Sequence, residues 1–371
     1  MKEVLFYYPQ HFNRAKEGTN PFFNALLEAC DCHGIKYDLF EEPDKGTDKP
    51  RNPTARKADT MFWTITILRK FFSILFPKKS FYWRERKTAK CFNIITFGRF
   101  RYRKYITISG SMFHFFSYLN PKGDVYDMQH GILFKRHPTF FDENMRLRPQ
   151  FYPNNLHLLF WGKGYYNCFV KGEEKYMTGK AHIVGYPVRS KRPVCTLSTN
   201  EDSDAILVSL QFTNSLDRNG LEKLKEQLHR FLVTIQSSGK KILLKHHPRY
   251  NNCISIDDLL EEFNNVEIST EQFDELTQKI LLHVTNSSTT AFEFAEYGIP
   301  TYFLTDSDGG IDSHFFFDEY DYPLYKDMPI SEVLKRIEVS EKKKEDGEIV
   351  KNWYNNFYSP FDEEKFISLI R

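Results

Sequence analysis

Four short polar motifs stand where apolar segments of the chain end. They are Gln129-His130-Gly131, His246-His247-Pro248, Asn286-Ser287-Ser288-Thr289 and the stretch over residues 293–300. In an open α/β sheet, ligands bind outside the carboxyl ends of parallel strands, so polar side chains placed there repeatedly indicate one shared site. Hydroxyl, imidazole and carboxylate groups together suit a phosphate joined to a ribose. We therefore expect the site to take a nucleotide-activated donor.

The hydroxyl cluster at residues 287–290 lies between a predicted strand, 280–284, and a predicted helix, 291–297. The free N–H groups and positive dipole end of a helix N-terminus attract anions, and hydroxyls add further donors. One interpretation is that Ser287, Ser288 and Thr289 hold a phosphate of the donor. The other is plain N-capping by Ser288 or Thr289, which needs no ligand. The sequence leaves both open.

Glu293 lies about one turn into the same predicted helix, which we expect to end with Gly298 at its C′ position. Its carboxylate is placed to accept hydrogen bonds from the two hydroxyls of a ribose. An acid favoured by the helix dipole is the alternative. Gln211, directly after the predicted strand 205–210, completes the candidate donor-binding residues.

His247 follows the predicted strand 241–244, and Pro248 disfavours a helical backbone at the histidine. At that strand end the imidazole could donate a hydrogen bond, or present a positive charge, to a leaving phosphate. We expect His246 to point the other way.

His130 follows the predicted strand 125–128, and Gly131 would permit a tight turn that lets the imidazole project from the strand end. A neutral histidine near its unperturbed pKa of about 6.5 suits a general base that deprotonates an acceptor hydroxyl. Asp127 or Asp124 could orient this base or replace it. A purely structural histidine is the alternative.

Lys135, Arg136 and His137 follow His130 closely. We take Lys135 and Arg136 as candidates for contacting an anionic acceptor. An exposed basic turn would explain them equally well.

Strands and helices alternate in two cycles, which predicts an α/β fold with parallel sheets. In the first cycle the predicted strands are 4–8, 36–40, 92–96, 105–108, 125–128, 156–161 and 182–184, with a helix over 21–32. In the second they are 205–210, 241–244, 266–268, 280–284 and 300–304, with an amphipathic helix over 221–237 that ends at Gly239. A helix pair near 329–339 and 341–357 closes the chain. We expect two Rossmann-like domains facing each other across a cleft.

The domain boundaries follow from these cycles. At 371 residues the chain is long enough for two domains of ordinary size. We place an N-terminal, acceptor-side domain at 1–185, a nucleotide-donor-binding domain at 186–340 and a C-terminal helical segment at 341–371.

Charge is unevenly distributed. The whole chain carries a net charge of +2, but residues 62–105 hold twelve Lys and Arg against the single acid Glu85, a net of +11. Aromatic and aliphatic side chains are interleaved with these charges, a mixture suited to an anionic membrane surface. An ordinary solvated helical face is the alternative. Nucleic acid is a third, but no recognisable nucleic-acid-binding motif accompanies the patch, and we do not expect such a partner.

Several features indicate a cytoplasmic protein, peripheral on the inner face of the membrane if the basic segment binds lipid. The chain opens directly on an apolar strand, without the pattern of a signal peptide. The longest uncharged apolar runs, 61–68 and 71–77, fall short of the ~20 residues of a membrane span. The six cysteines show neither metal-ligand nor disulfide spacing, so we expect free thiols, with Cys30 and Cys32 at a helix end.

Together, these motifs resemble those of the GT-B glycosyltransferases of bacterial surface polysaccharide assembly and of the related CDP-glycerol glycerophosphotransferases of teichoic-acid synthesis. In the latter a His-Gly with a following basic residue, a Gly-Tyr-Pro-Arg, a His-Pro and a Ser-Ser before a helix occur in this order. The matching residues here are His130-Gly131 with Lys135, Gly185-Tyr186-Pro187-Val188-Arg189, His247-Pro248 and Ser287-Ser288. The aromatic-acidic stretch 306–322 is also similar.

The His-Pro and Ser-Ser pair is further similar to the CMP-binding elements of bacterial sialyltransferases and capsule Kdo-transferases. Those families place an acidic pair before the glycine of the N-terminal domain, where this chain has Gln129-His130. Val188 is likewise an insertion relative to the glycerophosphotransferase pattern.

The resemblance implies a GT-B fold and an inverting, metal-independent transfer of a sugar from a nucleotide-activated donor, CMP- or CDP-linked, to a membrane-associated glycan. His247 and residues 287–289 would hold the donor phosphates, Glu293 the ribose, and His130 would be the base. No Asp-X-Asp lies where a diphosphate-bound cation would need it, and we read Asp306-Ser307-Asp308 as a loop. We expect no cofactor besides the donor.

Three other functions fit the same residues. The site could transfer a phosphopolyol from CDP-glycerol or CDP-ribitol. It could epimerise a nucleotide sugar at C2, because nucleotide-sugar 2-epimerases share this two-domain fold. The chain could also be a non-catalytic subunit that binds a nucleotide sugar, and fold analogy does not decide among these.

Overall fold

The computed structural model describes residues 2–110, 112–134, 137–188, 204–213, 216–304 and 315–371. The chain divides into two compact units. The first comprises Met1–Arg192 and Phe357–Arg371, and the second comprises Pro193–Asn356. The C-terminal stretch 341–371 is therefore shared between the two units.

Strands and helices alternate through most of the described chain. The strands are β1 (Lys2–Pro9), β2 (Tyr37–Glu42), β3 (Arg56–Lys57), β4 (Tyr102–Ile108), β5 (Asp124–Met128), β6 (Leu156–Phe160), β7 (Ala181–Ile183), β8 (Ala205–Ser209), β9 (Ile242–Lys245), β10 (Val266–Ile268), β11 (Ile280–Thr285) and β12 (Thr301–Phe303). The helices are α1 (Pro21–Cys32), α2 (Asp59–Leu75), α3 (Phe81–Ile95), α4 (Phe113–Leu119), α5 (Lys163–Val170), α6 (Glu174–Met177), α7 (Arg218–Ile235), α8 (Asp257–Glu262), α9 (Phe273–Leu276), α10 (Thr290–Glu296), α11 (Phe315–Tyr320), α12 (Ile330–Ile337), α13 (Ser340–Phe357) and α14 (Glu363–Ile370). No helix in the described ranges is long and apolar enough to cross a membrane.

A seven-stranded parallel sheet forms the centre of the first unit, in the order β3-β2-β1-β4-β5-β6-β7. Residues 4–8 of β1 are wholly buried, as the apolar run predicts. The strand order reverses between β1 and β4, and ligands of open α/β sheets bind outside the carboxyl ends at such a reversal. A ligand-binding site in this unit is therefore expected at the turns after β1, β4 and β5.

The second unit has a five-stranded parallel sheet in the order β10-β9-β8-β11-β12. Its order reverses between β8 and β11. The helix α10, directly after β11, is held against the sheet because Phe294 and Ile299 pack with Leu207 and Leu243. The amphipathic face predicted for α7 is confirmed: its six apolar residues, from Leu221 to Ile235, are buried.

The predicted strand 92–96 is wrong, because these residues form the last part of α3. Its apolar and β-branched residues favour a strand by propensity, but helical spacing decides the outcome. Glu85, Thr88, Ala89 and Phe92 bury one face of α3, and the Ser80 side chain caps its first turn. The other predicted strands are present with shifts of at most three residues at their ends, and 266–268 has the predicted bounds.

The Gly185-Tyr186-Pro187 segment receives the returning C-terminal chain. The backbone N–H of Tyr186 donates to the carbonyl of Ser359 at 2.8 Å. Gly185 has φ +81°, and a Cβ there would lie 2.0 Å from the carbonyl oxygen of Pro360. Glycine is required at this position by both backbone conformation and space, so the described contacts give the segment a structural role. Arg189 lies outside the described residues.

Candidate functional site

The candidate donor residues lie at the carboxyl ends of three adjacent strands of the second unit. Gln211 follows β8, His247 follows β9, and residues 287–289 follow β11. Neighbouring strands are about 4.8 Å apart, so these turns share one edge of the sheet. Gln211 and the hydroxyl cluster flank the point where the strand order reverses, which is the expected ligand position.

The imidazole of His247 is neutral and can donate a hydrogen bond. Its Nδ1 accepts the backbone N–H of Arg249 at 3.1 Å, which leaves the ring proton on Nε2. Partial burial and the nearby Arg249 guanidinium lower the pKa of the imidazole. Of the two roles considered from the sequence, hydrogen-bond donation is therefore favoured over a positive charge. His246 instead stacks on Tyr250, with ring centroids 3.9 Å apart.

The hydroxyls of the β11–α10 turn differ in their surroundings. Ser288 is buried, and its Oγ accepts from the Oγ1 of Thr290 at 2.9 Å and weakly from the Thr290 backbone N–H. Thr289 makes no capping hydrogen bond. Within the described chain no hydrogen bond engages the hydroxyl of Ser287 or Thr289. Ser288 thus supports the turn, while Ser287 and Thr289 have hydroxyls available to a ligand.

A buried histidine behind this turn was missed by the sequence reasoning. His283 is fully buried in β11; its Nδ1 bonds with the Thr301 hydroxyl and its Nε2 with the Ser209 hydroxyl, each at 2.9 Å. Thr290 Oγ1 approaches the same Nε2 at 3.4 Å. Burial lowers the pKa of His283 to about 3, so the ring is neutral at pH 7. In the sequence, the sign of this histidine's role was that it is the single polar residue within the otherwise apolar run 280–284.

Glu293 lies one turn into α10 and is exposed. Gly298 ends the helix as expected, with φ +73° and the N–H of Ile299 donating to the carbonyl of Phe294. Gln211 is half-buried, and its Nε2 makes only a long contact, 3.4 Å, to the carbonyl of Leu210.

His130 lies at the carboxyl end of β5 in the first unit. The residue as a whole is exposed, but its imidazole packs edge-on to the Phe12 ring, with ring centroids 5.6 Å apart. Its pKa is lowered to about 4, first by loss of solvation and then by repulsion from Arg14, His137 and His11. The expected pKa near 6.5 is therefore wrong, although the ring is neutral at pH 7. Arg14 and His11 come from the turn after β1, a spatial proximity that sequence spacing did not reveal.

Asp127 is held away from His130 by its own partners. Its buried carboxylate accepts from the Thr107 hydroxyl at 2.9 Å and from the Gly110 backbone N–H at 3.0 Å. Burial raises the pKa of Asp127 to about 6, against the opposing effect of these hydrogen bonds. Within the described residues its hydrogen bonds all go to β4 and the turn after it, so it does not orient His130 by a direct hydrogen bond.

Asp124 is not available as a base beside His130. It opens β5, about 20 Å of extended chain before His130, and it pairs with Lys104 at 2.8 Å. His157 and Lys104 hold the pKa of Asp124 well below its usual range. The proposal that Asp124 orients or replaces His130 is therefore wrong.

The Gln129-His130-Gly131 turn is fixed by its glutamine. Gln129 Nε2 donates to the carbonyl of Gly131 at 2.8 Å, and Gln129 Oε1 accepts the backbone N–H of Trp161 at 3.0 Å. The backbone of Gly131 is not left-handed, and an added Cβ would meet nothing within 4 Å. The turn therefore does not depend on glycine, contrary to the sequence expectation. Lys135 and Arg136 lie outside the described residues, as do Asp306, Ser307 and Asp308.

Within the described part of the chain, no group of three or more His, Cys, Asp or Glu side chains is arranged to hold a metal ion. None of the described cysteines forms a disulfide, and Cys30 and Cys32 lie at the end of α1 as expected.

Comparison with known proteins identifies the fold. No protein-family model matches the chain, and no curated protein matches it by sequence. Among solved structures, a UDP-glucose:anthocyanidin 3-O-glucosyltransferase in complex with UDP is similar over 100% of this chain and 98% of its own, with a TM-score of 0.52 and 10% identity. A UDP-GlcNAc 2-epimerase from Neisseria meningitidis bound to UDP-GlcNAc is similar over 100% of this chain and 98% of its own, with a TM-score of 0.50 and 13% identity.

The wall teichoic acid polymerase TagF is also similar, over 100% of this chain and 87% of its own, at 12% identity and a TM-score of 0.48. Identities this low bear on the fold alone. The similarities to the glucosyltransferase and the 2-epimerase, with TM-scores of 0.52 and 0.50, identify the fold together with the two parallel sheets. The chain has the GT-B fold, built from two Rossmann-like units.

Proposed function

We propose that this chain is a glycosyltransferase that moves a sugar from a nucleotide-activated donor to a glycan acceptor of the bacterial surface, such as a capsule or O-antigen. The observation that carries the proposal is the edge of the second sheet. There the Nε2–H of His247 and the hydroxyls of Ser287 and Thr289 lie at strand ends around the reversal of strand order. The glucosyltransferase of the same fold, solved with UDP, supports a nucleotide ligand.

The donor side follows from these groups. His247 and the hydroxyls at residues 287–289 donate hydrogen bonds to the phosphate that leaves, where they stabilise the charge that develops as the sugar–oxygen bond breaks. Glu293 binds the ribose hydroxyls, and Gln211 contacts the donor beside them. The motifs favour a CMP- or CDP-linked donor and a reaction without a metal ion.

The acceptor side depends on His130. Its neutral imidazole takes the proton of the acceptor hydroxyl as that oxygen attacks the anomeric carbon, and the nucleotide leaves with the bonding electrons on the opposite face. This single displacement inverts the anomeric configuration. Lys135 and Arg136 contact an anionic acceptor in this scheme. Asp127, whose pKa is raised to about 6, is the alternative base.

Other reactions remain candidates at the same site. A CDP-glycerol or CDP-ribitol donor would transfer a phosphopolyol instead of a sugar. An isomerase is a further candidate, because a UDP-GlcNAc 2-epimerase has the same fold. A subunit that only binds a nucleotide sugar would use the donor side without His130.

The test is a product analysis with the full-length protein, a panel of CMP-, CDP-, UDP- and GDP-linked donors, and a glycolipid extract as acceptor. We expect nucleotide release that requires acceptor, with a product heavier by one sugar. Product phosphate that rises with transfer indicates the phosphopolyol reaction, and donor isomerised without acceptor indicates the epimerase.

The catalytic assignment is tested separately by variants. His130→Gln should abolish transfer and leave nucleotide binding intact. The matched control is His229→Gln, an exposed histidine on α7. Unchanged turnover in His130→Gln would remove His130 as the base.

A further inference from the structure

Exposed apolar side chains are concentrated in one segment of the first unit. Fourteen large hydrophobic residues are exposed in the described chain, and ten of them lie between Trp63 and Phe97. They are Trp63, Ile67, Phe71, Ile74, Leu75, Phe76, Phe81, Ile94, Ile95 and Phe97. Scattered exposed apolar residues need no explanation, but a contiguous cluster marks an interaction surface.

The helix α2 has two opposite apolar faces. Met61, Ile65 and Phe72 are buried against the protein. Successive helical residues are rotated by roughly 100°, so Trp63, Ile67, Phe71 and Ile74 form a stripe on the other side. That stripe is about 17 Å long and faces solvent, with Ile67 66% and Ile74 68% exposed. A helix that only covered the core would need the first face alone.

The single acid of the basic segment is removed from this outer surface. Glu85 is buried and forms a two-pronged ion pair with Arg69, which joins α3 to α2. The remaining basic residues therefore have no acidic side chain of the segment beside them. Those that are exposed are Lys70, Lys78, Lys79, Arg86, Lys87, Lys90, Arg99, Arg101 and Arg103.

The turn after α3 adds an apolar tip. Phe97 is 96% exposed and has φ +50°, a left-handed conformation that is strained for a bulky residue. Ile94 and Ile95, which precede it, are also exposed. Lys79 and Lys87 lie within 6 Å of the Trp83 ring centroid, so cationic groups surround an aromatic ring in the same helix pair.

We infer that α2, α3 and the turn through Phe97 form a docking surface for an anionic lipid bilayer. The apolar stripe of α2 and the tip at Phe97 enter the boundary between headgroups and acyl chains, while the Lys and Arg side chains reach lipid phosphates. Charge complementarity selects this occupant, because residues 59–97 hold eight Lys and Arg against Asp59 and Glu85, and this net charge of +6 would repel a second copy of the same surface. This inference does not depend on the reaction that the protein catalyses.

Flotation with lipid vesicles tests the surface. The full-length protein should float with phosphatidylcholine vesicles that contain phosphatidylglycerol, much less with pure phosphatidylcholine, and less at high salt. The double variant Ile67→Glu/Phe71→Glu should bind at least about tenfold more weakly, because apolar area is lost from the membrane. Its control is Val233→Glu on α7, where the valine is 49% exposed against 53% for Phe71.

The charge contribution has its own pair of variants. Each basic residue near an anionic surface contributes about 1 kcal/mol, so Lys87→Glu/Lys90→Glu should weaken vesicle binding at least about twentyfold. Lys223→Glu, an exposed lysine on α7, should leave vesicle binding unchanged. Circular dichroism and the melting temperature show that each variant is folded.

Three results would overturn the inference. The wild-type protein could fail to float with anionic vesicles, or the helix variants could bind as well as their controls. The apolar variants could instead convert a dimer to a monomer in sedimentation without changing vesicle binding, which would assign the surface to a second copy. Binding of an RNA oligomer that these variants abolish, with no vesicle binding, would assign it to nucleic acid.

Discussion

His247 and His130, the two histidines at strand ends, differ in what their imidazoles can do: one donates a hydrogen bond and the other accepts a proton. His247 has its Nδ1 occupied by a backbone N–H, so it can only donate through Nε2. Loss of solvation, and then repulsion from the cationic Arg14, lower the pKa of His130, so the ring is unprotonated at pH 7 and able to accept a proton. A bound phosphate would offset the repulsion from Arg14 and His11, and the basicity of His130 would then rise as substrate binds.

The pH dependence of transfer distinguishes the two candidate bases. Protonation of His130 below its pKa of about 4 removes the base, so kcat/KM should be constant above pH 5.5, about one and a half units higher, and fall near pH 4. The fall in kcat should occur at higher pH, because the bound donor is anionic. A fall of kcat/KM near pH 6, with transfer abolished in Asp127→Asn and retained in His130→Gln, would instead assign the base to Asp127.

Stability should depend on pH through His283. Its folded pKa of about 3 lies below the unfolded value near 6.5, so the stability present above pH 6.5 is lost as pH falls toward 3. Between pH 7 and pH 5 this group should cost about 2 kcal/mol of unfolding free energy, measured by urea denaturation. His283→Leu should lower stability at pH 7, because it leaves the Ser209 and Thr301 hydroxyls unpaired, and should show a smaller pH slope. An unchanged slope, with His229→Leu as the control, would contradict this account.

The positions of the candidate site residues were predictable where a motif coincided with a strand end, as for His130, His247 and residues 287–289. Arg14 and His11 were not, because they reach His130 only through the packing of separate strands. The partners of Asp127 were hidden for the same reason: Thr107 and Gly110 belong to the neighbouring strand and its turn.

At the scale of the elements, the motif Gly185-Tyr186-Pro187 has a structural role, because it contacts the returning C-terminal chain. Gly185→Ala should lower the unfolding free energy by about 2 kcal/mol or more, because the methyl group would overlap the Pro360 carbonyl and the backbone is left-handed. Gly172 is a matched control with φ +82° and nothing within 4 Å of an added Cβ. Gly172→Ala should cost only the backbone strain, about 1 kcal/mol of unfolding free energy. Equal losses of unfolding free energy in the two variants, measured by urea denaturation, would contradict the close approach of Gly185 to Pro360.

Alternating elements were predictable from periodicity because the core strands are continuous apolar runs and α7 has a clean amphipathic face. The segment 92–96 was not, since its residues favour strand by propensity while the buried face that fixes the helix lies mainly upstream. The helix α14 lies within the predicted helical segment 341–371, but its bounds were not predicted. It is short, and its position depends on packing with α1 and on the hydrogen bond from Tyr126 Oη to the carbonyl of Leu369.

For the whole molecule, the chain leaves the first unit once and returns to it at Phe357. The return is fixed in the first unit by the Ser359 and Pro360 contacts with the Gly185 turn and by the hydrogen bond between His33 Nε2 and Glu363 Oε1 at 3.1 Å. Each unit therefore has its own parallel sheet and its own reversal of strand order. We propose that the nucleotide binds to the second unit and that the base belongs to the first.

The most direct test of that assignment is calorimetric titration of the full-length protein with CMP, CDP, UDP and GDP, repeated with His247→Ala and with the control His229→Ala. Loss of a hydrogen bond to a charged phosphate should weaken binding about ten- to a hundredfold in His247→Ala and leave the control unchanged. At least one of these nucleotides should bind the wild-type protein. If none binds, or if His247→Ala binds with wild-type affinity, the donor site at the edge of the second sheet is wrong.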